Sequence, residues 1–216
     1  MDYVAARHNM VESQIKTNNV VLEELLDALR KTPRESFVPS EFQEVAYVDN
    51  PVPLADDRYL MAPLDLARLI QEAKPSLSDL ALVIGCGTGY GAAVLSKMVG
   101  AVVGLESNTA FASEATEILS GLCIETVAIV VGSLKDGYPH QAPYDIIFFE
   151  GAIPEVPEEI SSQLGEGGRL VCILSGEGID SAIVISRNCG VLSTRSVFEC
   201  ASPILPDFKR EKVFVF

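Results

Sequence analysis

One six-residue stretch constrains this chain more than any other: Gly85-Cys86-Gly87-Thr88-Gly89-Tyr90. It follows a short apolar run, Leu80 to Ile84, that reads as a buried strand. It opens residues 89 to 99, where Ala92, Ala93, Leu95 and Met98 recur at helical spacing. Glycines between a strand and a helix allow a tight turn and bring a ligand close to the backbone. About 20 residues on, the strand Ala101 to Leu105 ends at Glu106, where an acidic side chain can accept both hydroxyls of a ribose. The bland reading is a turn that only joins strand to helix. The strand, the turn and the acid together favour a nucleotide-like cofactor.

The third glycine comes two residues after the second, which is not the dinucleotide spacing. That form suits S-adenosylmethionine, which has no pyrophosphate to seat on the helix N-terminus. There is no phosphate loop of the Gly-x-x-x-x-Gly-Lys-Ser/Thr type, and Ser175-Gly176-Glu177-Gly178 lacks the frame of a nucleophile elbow.

The surrounding pattern sets the fold. Helices are expected at residues 109 to 120 and near 157 to 164, and strands at Thr126 to Val131, Asp145 to Phe149 and Arg169 to Leu174. Strands alternating with helices imply an α/β, Rossmann-like doubly wound sheet, mostly parallel, with helices on both faces. Ala182 to Ser186, Leu192 to Phe198 and Lys212 to Phe216 read as strands with little helix between them, an antiparallel C-terminal edge. Ahead of the sheet, Val4, Val11 and Ile15 sit at helical spacing until Asn18 and Asn19. Residues 21 to 31 carry an apolar stripe of Leu22, Leu25, Leu26 and Leu29, ended by Pro33. Four prolines make residues 33 to 59 turn-rich, and Pro63 starts a helix through Leu66, Leu69 and Ile70. No linker divides the chain. One domain over 1–216 is expected, with residues 1–75 as an N-terminal helical layer on a core of 76–216.

Charge and cysteine usage narrow the function. The net charge of −14 repels phosphate backbones and anionic membrane surfaces, so neither nucleic acid nor membrane is expected as partner. Five cysteines without a Cys-x-x-Cys pair suit free thiols in a reducing compartment, and two histidines far apart argue against a metal site. Without a signal peptide pattern or a membrane-length apolar run, the expected location is cytoplasmic.

More specific matches lie outside the glycine turn. They run through Arg7, Asn9, Met10, Val11, Gln14 and Ile15, then Pro33-Arg34-Glu35-Ser36-Phe37-Val38-Pro39 and Ala46-Tyr47-Val48-Asp49. Pro143-Tyr144-Asp145, Gln163-Leu164 and Gly167-Gly168-Arg169-Leu170-Val171 follow. With these residues the chain resembles protein-L-isoaspartate O-methyltransferases over roughly residues 1 to 175. The resemblance implies an S-adenosylmethionine-dependent enzyme, with S-adenosylhomocysteine as product, that methylates the carboxylate of isoaspartyl residues in damaged proteins. It implies cofactor contacts at Gly85, Cys86, Gly87, Thr88, Gly89, Glu106, Ser133, Leu134 and Glu150, and a substrate loop at Arg58, Tyr59, Leu60 and Met61. A carboxylate is already a nucleophile at neutral pH, so no catalytic base is implied.

Three departures from the family pattern stand out. Where the substrate loop carries Gln-Thr-Ile-Ser-Gln-Pro, this chain has Arg58-Tyr59-Leu60-Met61-Ala62-Pro63. The loop hydroxyls are gone, while Arg58 can pair with a carboxylate and Tyr59 and Met61 can line an apolar pocket. Val83 stands where an acid usually precedes the first glycine by two residues. Losing that charge-assisted bond costs about 1.5–3 kcal/mol, or roughly 10- to 100-fold in affinity. Ser133 replaces the aspartate of a Gly-Asp-Gly, and Glu150 falls where Thr-Ala-Ala is usual. Two alternatives follow: a methyltransferase with another, small-molecule acceptor, or a catalytically silent binding or regulatory relative.

Overall fold

The computed structural model describes residues 1–176 and 178–209. Helix α1 (Tyr3–Asn9) runs into a π-helical turn at Met10–Ile15, and α2 (Glu23–Lys31) follows. The wider turn places Met10, Val11 and Ile15 against the core, whereas Val4 is exposed although the spacing put it on the same stripe. Leu25, Leu26 and Leu29 of α2 are buried as their periodicity requires. A two-stranded hairpin, β1 (Val52–Pro53) and β2 (Tyr59–Leu60), interrupts the stretch expected to be irregular. Helix α3 (Pro63–Ala73) begins at Pro63 as expected.

The main sheet comprises β3 (Leu80–Ile84), β4 (Ala101–Glu106), β5 (Val127–Val131), β6 (Tyr144–Ile153), β7 (Leu164–Leu174), β8 (Ser181–Asn188) and β9 (Val191–Glu199). Its order is β5-β4-β3-β6-β7-β8-β9. The pairs from β5 to β7 are parallel, and β8 and β9 add antiparallel strands at one edge. Helices α4 (Tyr90–Leu95), α5 (Thr109–Gly121) and α6 (Glu158–Ser161) complete the fold. The expected mostly parallel α/β sheet with an antiparallel edge is therefore present. The strand expected at Lys212 to Phe216 lies outside the described residues. Among the described residues, no helix is long and apolar enough to cross a membrane.

Element ends differ from expectation where tertiary pairing outweighs local pattern. Helix α4 stops at Leu95 rather than 99, and α6 is a single turn because Leu164 already pairs with Tyr144 as part of β7. Strand β6 runs on to Ile153 through a bulge between Phe148 and Ala152.

Strand β3 alternates across the sheet. Ala81 and Val83 join a core with α2, α3 and α4. Leu82 and Ile84 join a second core with Ile160 of α6 and with Leu205 and Phe208 near the C-terminus. Strand order reverses between β3 and β6, the switch point where open α/β sheets bind ligands.

Arg34 ties the N-terminal layer to that point. It is fully buried, donating to the Ala46 carbonyl at 2.6 Å and the Met61 carbonyl at 2.7 Å. Its guanidinium lies 4.8 Å from the centroid of the Tyr90 ring, against which Phe37 packs edge-on at 5.5 Å. The proline-bounded segment from Pro33 to Pro39 thus fastens the N-terminal layer to the sheet. Replacing Arg34 by Met strands two buried carbonyls, at about 1–3 kcal/mol each. We expect urea unfolding of Arg34→Met to show a lower midpoint, corresponding to a loss of about 2–6 kcal/mol of stability, with the slope unchanged.

Candidate functional site

The glycine turn leaves β3 with positive φ at Gly85, Gly87 and Gly89 (+73°, +54° and +94°), angles that side-chain-bearing residues rarely adopt. Gly85 and Cys86 both donate to the Leu105 carbonyl, at 2.9 and 3.2 Å, which locks the turn to the end of β4. Thr88 points away from the crevice and donates to the Phe37 carbonyl at 2.6 Å. Cys86 is buried. Desolvation first, and the nearby Glu106 and Glu150 second, push its thiol well above the usual range, so it packs as a small inert residue.

Glu106 ends β4 and is completely buried. Its Oε1 accepts from Ser107 N at 2.9 Å and Asn108 N at 3.1 Å, and its Oε2 accepts from Gly87 N at 2.8 Å. Three backbone donors thus fix the carboxylate beside the turn, as a ribose acceptor requires.

The remaining capacity of that carboxylate is taken by Arg58. Its Nη1 reaches Glu106 Oε1 at 2.8 Å and its Nη2 reaches Oε2 at 2.9 Å, a bidentate pair. Nη2 also donates to the Gly85 carbonyl at 2.8 Å. Arg58 does pair with a carboxylate, as the sequence allowed, but that carboxylate belongs to its own chain. It stands at the foot of the β1–β2 loop, whose tip residues Asp56 and Asp57 have positive φ. Asp56 accepts from Asn108 Nδ2 at 3.1 Å, and Asp57 pairs with Lys209 at 3.0 Å.

A C-terminal strap closes the other side. Ile204 bridges Ala152 in parallel, and Leu205 N donates to the Ala152 carbonyl at 2.9 Å. Phe208 meets Phe149 edge-on at 5.9 Å, and Asp207 accepts from Ser107 Oγ at 3.2 Å. A Cβ placed on Gly85 would lie 2.9 Å from Leu205 and 3.4 Å from Arg58, and one on Gly87 would lie 3.3 Å from Leu54. Protein side chains therefore fill the approach to the glycines.

Glu150 sits in the β6 bulge, 3% exposed, and accepts weakly from Gly91 N at 3.3 Å. Its Oε2 finds no hydrogen-bond partner among the described residues. Burial raises its pKa to about 8, against the opposing pull of Gly91 N, Arg58 and Arg34. Glu150 is therefore a neutral acid at pH 7.

The other expected site residues scatter. Leu60 and Met61 are buried and Tyr59 is exposed; Ser133, after β5, is exposed, and Leu134 is buried in the second core. Val83 is buried in β3 and supplies no acceptor. The sequence reading missed Leu54, Asn108 and Leu205. The signal for Leu205 was the apolar pair Ile204-Leu205 held between Pro203 and Pro206, a rigid segment near the chain end.

These residues test the fit of S-adenosylmethionine. A ligand of that size needs a pocket of roughly 300–1,000 Å³. The space left between Arg58, Met61, Glu150 and Leu205 is about 10 Å³, enough for about one water. A wider groove of about 890 Å³ is lined by Lys135, residues 154–159 and the strap residues 207–209, and neither space is lined by a residue of the turn. In this arrangement the crevice does not fit the cofactor, because Arg58 and Leu205 occupy it.

Comparison with known proteins gives a consistent result. A family profile described as Protein-L-isoaspartate(D-aspartate) O-methyltransferase matches residues 5–201. The chain is 39% identical over 188 residues to a protein-L-isoaspartate O-methyltransferase of Methanoculleus marisnigri, covering 87% of this chain and 86% of that one. It is 34% identical to one of Methanoregula boonei, covering 84% of each. A solved protein-L-isoaspartate O-methyltransferase superposes with TM-score 0.81 at 27% identity, over 92% of this chain and 65% of that one. A beta-aspartate methyltransferase structure from Plasmodium falciparum, in complex with S-adenosyl-L-homocysteine, also gives 0.81 over 93% of this chain and 98% of that one. Its 17% identity shows the fold.

Glu150 carries a stability prediction. In the unfolded chain it ionises near 4.5 and in the folded chain near 8. The folded state holds the extra proton between those values, so its contribution is complete below about 4.5 and is lost as pH rises through about 8. Glu150→Gln keeps the acceptor for Gly91 without a titrating group. Denaturation at pH 5 and pH 8 should show the variant gaining on the wild type at the higher pH, by at most about 4 kcal/mol.

Proposed function

This chain belongs to the protein-L-isoaspartate(D-aspartate) O-methyltransferase family, enzymes that use S-adenosylmethionine, and we propose that it is a methyltransferase of that kind acting on isoaspartyl carboxylates in proteins. One observation beyond membership carries the reading: the turn-and-acid geometry is intact. Gly87 N, Ser107 N and Asn108 N still hold the Glu106 carboxylate at the carboxyl end of β4, beside three glycines of positive φ. A turn that merely joined strand to helix would not need a buried acid held by three backbone donors. We read the chain as one unit, residues 1–75 layered on 76–216, since α2 and α3 share a single core with β3. All five cysteines are free, which supports a cytoplasmic location.

The residues of this chain have limited work to do. They align an acceptor carboxylate that is already ionised and keep water away from it. Helix α3 and the β1–β2 hairpin supply the enclosing wall. Arg58, freed from Glu106, is the cation within the expected substrate loop that can receive an acceptor's carboxylate.

A second reading, a silent relative on the same fold, is favoured by the filled crevice and by Val83. The deciding assay supplies methyl-labelled S-adenosylmethionine with an isoaspartyl peptide and its aspartyl isomer. We expect a base-labile methyl ester on the isoaspartyl peptide alone. Folded protein that labels neither peptide would exclude this acceptor.

A further inference from the structure

We propose that Arg58 and Leu205 form an intramolecular plug that governs access of the cofactor to its own site. The identity of the ligand rests on the family reading; the plug rests on the geometry. Arg58 saturates Glu106: with it, the carboxylate receives donors from Gly87, Ser107, Asn108 and both terminal nitrogens of the guanidinium. Two ribose hydroxyls can reach that carboxylate only by displacing Arg58. Leu205 packs on the same face of the turn, its side chain 2.9 Å from where a Cβ on Gly85 would stand, beside Arg58 at 3.4 Å.

Both arms of the plug come from segments that pair with few strand residues. Arg58 belongs to a hairpin of two residue pairs, and Leu205 to a strap that joins the main sheet by an isolated bridge at Ile204. The two arms are coupled. The Asp57–Lys209 ion pair joins hairpin to strap, and Asp56 and Asp207 both bond the segment just after Glu106. Opening one side therefore loosens the other.

A closed state of this kind lowers the apparent affinity by the fraction of molecules that are open. Removing a plug residue should raise that fraction, whereas a residue that is merely structural would, when removed, lower stability and leave affinity unchanged or weaker.

The test is calorimetric titration of the full chain with S-adenosylhomocysteine for the wild type, Arg58→Ala and Leu205→Ala, with thermal melts to verify folding. We expect each folded variant to bind more tightly than the wild type, Arg58→Ala by at least about tenfold. Should Arg58→Ala fail to fold, Leu205→Ala leaves Glu106 and its partner intact and decides alone. Folded variants that bind no more tightly than the wild type overturn the plug, whether the wild type binds at micromolar strength or not at all. A Leu205→Ala variant that gains affinity yet labels no isoaspartyl peptide upholds the plug and removes the acceptor, since Arg58 is still in place. A wild type that methylates the peptide and matches both variants in affinity removes the plug and keeps the enzyme.

Discussion

The bidentate pair between Arg58 and Glu106 is the interaction on which the state of the crevice depends. Both partners are out of water, Arg58 5% exposed and Glu106 not at all. Buried pairs of this kind seldom add much net stability, because desolvation of both charges offsets their attraction. Breaking one by removing a single partner is costly for the same reason. Glu106 is an exception to that asymmetry. Its three backbone donors remain when Arg58 withdraws, so the carboxylate is never left bare. The pair therefore sets position more than stability: it fixes the hairpin tip over the glycine turn at modest cost to reversibility.

A second buried polar group lies behind it. Arg34 Nη1 and the Tyr90 hydroxyl face each other without a well-formed hydrogen bond, and Glu150 Oε2 has no partner among the described residues. Unsatisfied buried groups are costly, and polar groups held this close to the switch point show that the region is not built for packing alone. The neutrality of Glu150 limits that cost. As a carboxylate in the same place it would add a second buried negative charge close to Glu106, which is one of the influences raising its pKa.

Much of the fold was legible because its signals are local. Leucines in α2 and α3, the apolar run of β3 and the glycine turn each specify their own structure, and the alternation of strands and helices follows from their order. The ends of β6 and β7 were not legible, since Leu164 is strand only because Tyr144 is there to pair with it. The site divides the same way. Glu106 and the glycines could be placed from spacing alone. The contact of Arg58 with Glu106 spans 48 residues and that of Leu205 with Gly85 spans far more, and no periodicity encodes either. Arg58 was singled out as a cation suited to a carboxylate, which is correct chemistry. Which carboxylate it takes is a matter of tertiary structure.

The departures at Val83, Ser133 and Arg58 look independent along the sequence, yet they act on one balance of charge. An acid in place of Val83 would put a second negative charge two residues before the turn. An aspartate in place of Ser133 would add negative charge after the neighbouring strand. With neither present and burial favouring the neutral form of Glu150, Glu106 is the carboxylate that the guanidinium engages. Arg58 in that place fills the approach to Glu106 and the Gly85 carbonyl. Removal of acids and gain of an arginine thus push in the same direction. Both favour the closed hairpin over an open crevice, and both do so without disturbing the glycine turn, whose backbone geometry depends on none of these side chains.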